Sequence, residues 1–104
     1  PLHADTNWKL LEEGATILGQ ARSWVVACES NQLERLDGLL NNLRSVLTGA
    51  GLSEADFIRF ESALETGERL GPQTASGSEV DCSDTGPREQ VGEGMGKVTQ
   101  AITK

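Results

Sequence analysis

Glu54, Glu61, Glu65 and Glu68 recur at steps of seven, four and three, which on an α-helix gathers four carboxylates into one stripe. Gathered carboxylates raise the question of general acid–base catalysis. That chemistry needs a concave, partly dry site that separates the two pKa values. A stripe along a solvent-facing helix supplies neither. Ile58 lies within the stripe, and an apolar residue bracketed by carboxylates suits a partner pocket ringed by Lys or Arg. Glu54, Ile58, Glu61, Glu65 and Glu68 are therefore the expected partner-binding residues, set against the plainer expectation of a solvated charged face.

The other reactive side chains do not assemble into a site. Gly92-Glu93-Gly94-Met95-Gly96-Lys97 has the glycines of a phosphate loop, but Val98 stands where the P-loop has Ser or Thr, and Val91 where it has its first Gly. One histidine, His3, and two cysteines distant in sequence cannot supply a structural zinc set. Asp81-Cys82-Ser83-Asp84 lacks the ligand spacing of a calcium loop. No catalytic residue, cofactor or metal is expected. Cys28 falls in a helical apolar pattern and Cys82 in a polar stretch, so no disulfide framework is expected. Without a signal-peptide pattern at the start, the expected setting is the reducing cytoplasm.

The net charge is −7. Residues 49–70 carry five acids against two bases, and residues 71–104 five against three, whereas the first 48 residues are nearly balanced. Direct nucleic-acid binding is driven by Lys and Arg neutralising phosphates, so this balance argues against it. No apolar run approaches the ~20 residues that span a bilayer. A protein partner, one with a basic surface among them, remains open.

The elements that must position these residues are helices. Leu33, Leu36, Leu40, Leu43 and Leu47 follow steps of three and four, with Leu39 and Val46 widening the stripe. Asn31 followed by Glu34 predicts the start of this helix, and Gly49 a left-handed stop. The run is too short for a sustained zipper and reads as the spine of a bundle.

Upstream, Asp5 or Thr6 is the expected cap of a helix beginning near Trp8. It carries two adjacent apolar stripes: Trp8, Leu11, Ala15, Leu18 and Val25, then Leu10, Ile17, Ala21, Trp24 and Cys28. Together they cover about 200° of the helix, roughly twice the usual minimum. Either this helix is central, or it is half of a dimer interface. With only two other helices to cover it, self-association through Trp8, Leu11, Ala15, Leu18 and Val25 is the expectation. Gly14 and Gly19 weaken the helix, and Ala15 with Gly19 offers a surface for close approach.

Leu52-Ser53-Glu54-Ala55-Asp56-Phe57 is the sharpest local signal. Ser53 is the predicted cap, Asp56 the returning partner, and Leu52 with Phe57 a hydrophobic staple. This third helix should end at Gly71-Pro72. Beyond it, residues 72–104 are rich in Gly, Ser and Pro and are expected to be a flexible tail, with a short amphipathic end at Met95, Val98, Ala101 and Ile102.

The expected fold is all-α: a small three-helix bundle over residues 1–71, built as an antiparallel hairpin plus a third helix, with a flexible tail over 72–104, forming a homodimer. The expected function is a non-enzymatic regulatory interaction module, an inhibitor or anti-activator of a transcriptional regulator being one concrete form. The alternative is a small acidic export chaperone of the flagellar or type III secretion kind, a likeness of general character that rests on no motif.

Overall fold

A computed structural model describes residues 7–71 and 82–102, and among these the protein is an all-helical bundle. Helix α1 spans Trp8–Cys28, a 3-10 turn Ser30–Gln32 follows, and α2 spans Leu33–Gly49. Helix α3 spans Glu54–Leu70 and α4 spans Gly86–Ile102. The expectations that fall on residues 1–6 and 72–81, namely His3, the Asp5 or Thr6 cap and the first part of the linker, lie outside the described residues.

The largest departure from the sequence-based expectation is α4. Residues 86–102 are a helix of 17 residues packed against α1, where a flexible tail and three helices in all were expected. Four glycines and a proline give α4 poor intrinsic propensity. Packing overrides it, because Pro87, Gly94, Val98 and Ala101 share one buried face. Covalent linkage fixes its start: Cys28 at the end of α1 and Cys82 ahead of α4 form a disulfide across 54 positions. The absence of a bridge expected above is thereby corrected. The chain folds back after α3 and brings the two cysteines together, which a helical pattern around Cys28 cannot reveal.

Helix α1 is the centre of the molecule. Helices α3 and α4 run closely along it, whereas α2 approaches its backbone at few points. Glu12–Arg59 and Arg22–Glu68 ion pairs rise together along α1 and α3, so those two are parallel. Asn7 N–H donates to the Ala101 carbonyl at 3.3 Å, and Glu29 pairs with Arg88, so α4 is antiparallel to α1.

Two glycine crossings set these approaches. At Gly19 an added Cβ would fall 2.0 Å from the Leu64 carbonyl oxygen, and at Gly67 it would fall 2.0 Å from that of Thr16. At Gly14 it would meet Val98 Cγ2 at 2.7 Å and the Gly94 oxygen at 2.8 Å. Gly14 and Gly19 are five positions apart, about 140° around the helix at 100° per residue, so α4 and α3 flank α1 on different sides.

The α1 stripe on which the homodimer expectation rested is largely covered inside the single chain. Leu11, Ala15 and Leu18 are fully buried and Val25 is 4% exposed within a single chain. Trp8 is half-buried under Arg59, whose guanidinium lies 4.3 Å from the ring centroid. The fourth helix covers what three could not. A matching clamp closes the other end, where Arg88 of α4 lies 5.8 Å from the Trp24 ring and pairs with Glu29.

Helix α2 lies over the remaining face through Leu36, Leu40, Leu43 and Leu47, all buried, while Leu39 and Val46 stay exposed. The stripe is thus narrower than expected. Three local expectations also shift. The α1 cap is Asn7, whose Oδ1 accepts from Leu10 N–H at 3.0 Å. Helix α2 starts without a side-chain cap bond, after the 3-10 turn instead of from an Asn31 box. The left-handed residue after α2 is Gly51, at φ 99°, and not Gly49. The Ser53 box forms as expected: Ser53 Oγ accepts from Asp56 N–H at 3.2 Å, and Asp56 Oδ2 accepts from Ser53 N–H at 3.3 Å.

Candidate interaction surfaces

On α3, Phe60, Ala63, Leu64 and Gly67 are buried, so the opposite side of the helix points away from the bundle. Ile58 lies there and is 61% exposed. The structure splits the five expected partner-binding residues into two groups. Glu54 and Glu65 are exposed on the outward side with Ile58, and neither pairs with a cation among the described residues. Glu61 instead accepts both a 2.5 Å and a 3.1 Å hydrogen bond from Arg44 of α2. Glu68 sits 3.6 Å from Arg22 of α1. Glu61 and Glu68 tie α3 to its neighbours, leaving an outward ridge of Glu54, Ile58 and Glu65.

Between α2, α3 and α1 the charges are internally matched. Arg22 donates to Asp37 through Nε at 2.8 Å and Nη2 at 3.2 Å. That hydrogen bond holds the Asp37 carboxyl below its ordinary value, with charge attraction adding and burial opposing. The same bond raises Arg22. The outer side of α1, between α3 and α4, is a shallow trough of about 580 Å3 lined by Lys9, Glu12, Glu13, Arg59 and Lys97. Arg59 pairs with Glu12 and Lys97 approaches Glu13, so the trough is a row of latches between helices.

The sequence did not point to a second open surface. A groove of about 440 Å3 runs between α2 and α4 over the end of α1, lined by Val25, Leu36, Leu39 and Val91 with Arg35 and Arg88 on its walls. Leu39 is 40% exposed there. The available signal was Leu39, one helical turn from Arg35, but the groove exists only because α4 supplies its other wall. The residues expected for self-association are not part of an open face, apart from Val25 at the groove floor.

No helix of the described residues is long and apolar enough to cross a membrane, and no group of three His, Cys, Asp or Glu side chains among them is placed to hold a metal ion. No family model, no curated protein and no solved structure matches this chain.

Proposed function

We propose that the protein is a non-enzymatic binding module that docks on another protein through the outward ridge of α3. One observation carries this: Ile58 is 61% exposed between Glu54 and Glu65, and no cation of the described chain neutralises either carboxylate. A large apolar side chain bracketed by unpaired carboxylates fits a pocket with a basic rim, with the carboxylates setting orientation and encounter rate. The Cys28–Cys82 bridge favours an oxidising compartment, since cytosolic thiols are kept reduced. It moves the favoured partner away from a cytoplasmic transcriptional regulator and towards a protein of that same compartment.

The test is affinity capture from the native source with the oxidised wild-type chain and with Ile58→Asp in parallel. A partner recovered by the first and lost by the second is the expected result. Identical recovery by both baits would remove Ile58 from the site.

A further inference from the structure

The groove between α2 and α4 and the ridge on α3 are complementary to each other. The groove is apolar at its floor, through Val25, Leu36, Leu39 and Val91, and carries a guanidinium on each wall. Arg88 is held by Glu29, but Arg35 is exposed and has no ion-pair or hydrogen-bond partner among the described residues. An occupant of matching chemistry presents an apolar side chain flanked by carboxylates on a helix. The ridge of Glu54, Ile58 and Glu65 has that composition, and neither of its carboxylates pairs with a cation among the described residues.

We propose that the groove of one copy receives the α3 ridge of a second copy, with Ile58 over the apolar floor and a ridge carboxylate on Arg35. This rests on the assignment of the ridge as a docking surface and names an occupant for it. Helices α3 and α4 flank α1 on different sides, so the ridge and the groove of one chain face apart. Two copies therefore cannot exchange both contacts at once. The contact is head-to-tail, and the pair keeps one free ridge on one copy and one free groove on the other, which extends into short chains or closes into a ring. The ridge offers one large apolar residue, so the buried area falls well below that of a stable dimer and the association is weak.

Sedimentation from the micromolar to the millimolar range tests this with four samples: wild type, Ile58→Asp, Arg35→Glu, and an equimolar mixture of the two variants. Both positions are exposed, so far-UV circular dichroism of each variant should match the wild type. The wild type is expected to rise past the dimer mass, and each variant alone to stay monomeric. The mixture should stop at the dimer, because it holds one intact groove and one intact ridge. A monomeric wild type, a variant that associates as the wild type does, or a monomeric mixture would each overturn the proposal. The two ideas separate cleanly: if self-association is absent but Ile58→Asp still abolishes capture of a partner, the ridge stands and its occupancy by a second copy falls.

Discussion

Helix α1 is packed in two different ways, and the contrast shows where this fold is strict. Against α3 and α4, backbone meets backbone at Gly19–Gly67 and Gly14–Gly94, with no room for a Cβ. Against α2, branched side chains fill a wider gap through Leu36, Leu40, Leu43 and Leu47. Glycine contacts cannot adapt, because a carbonyl oxygen fixed in a helix has nowhere to move. Leucine contacts adapt by changing rotamer. The layer α3–α1–α4 should therefore respond sharply to small changes, and α2 should respond gradually.

The layer has a covalent aid that α2 lacks. Replacing Cys28 and Cys82 by Ser releases a closure over 54 positions, a loss of about 4 kcal/mol on chain-entropy grounds. Urea unfolding of oxidised and reduced protein should show it, and hydrogen exchange should place the earliest loss of protection in α4. Equal protection in α2 and α4 after reduction would break the comparison.

Next in size is Gly67→Ala, where the new methyl would lie 2.0 Å from the Thr16 oxygen. The cost is about 3 kcal/mol, at the upper end for overpacking. Its control is Gly38→Ala in α2, where nothing lies within 4 Å of the added carbon. There the same change should stabilise by up to about 1 kcal/mol through helix propensity. A urea midpoint for Gly67→Ala that rises along with that of Gly38→Ala would show that the crossing is not tight.

Leu40→Met sharpens the other half. Leu40 is 2% exposed, yet a volume-conserving exchange should cost only about 1 kcal/mol. Calorimetry should give a melting shift well below that of Gly67→Ala.

The smallest effect is electrostatic. The folded-state pKa of Asp37 is depressed by Arg22, so its stabilisation is present above the unfolded value of 3.8 and is lost as pH falls through the lower folded value. The Asp37 side chain is 41% exposed, so solvent screening keeps the contribution below about 1 kcal/mol. Asp37→Asn should lower stability at neutral pH by that small amount, leave it nearly unchanged near pH ~2 where Asp37 is already protonated, and so flatten the acid limb between.

Much of this arrangement was legible in local pattern. The Ser53–Asp56 box, the buried leucines of α2 and the buried Phe60 and Leu64 of α3 all follow from spacing, because each depends on residues within a turn or two. The excess apolar face of α1 was also legible, but its meaning was not. Periodicity shows that a face must be covered and is silent on what covers it. The glycines of residues 86–102 hid the answer, since by composition they oppose the helix that packs there. The candidate ridge was half legible. Ile58, Glu54 and Glu65 were placed outward by spacing, but only contacts across helices show that Glu61 belongs to Arg44 and Glu68 to Arg22.

By itself the sequence determined the helical class, the cap of α3, the inward row of α2 and the acidic outward side of α3. These are set by periods of three and four residues and by hydrogen bonds that close within one turn. The tertiary structure alone decided that α1 is central, that α4 exists, that Cys28 meets Cys82 and that a groove opens between α2 and α4. Each of these requires segments dozens of residues apart to meet, and a one-dimensional pattern carries no record of which surfaces will face each other.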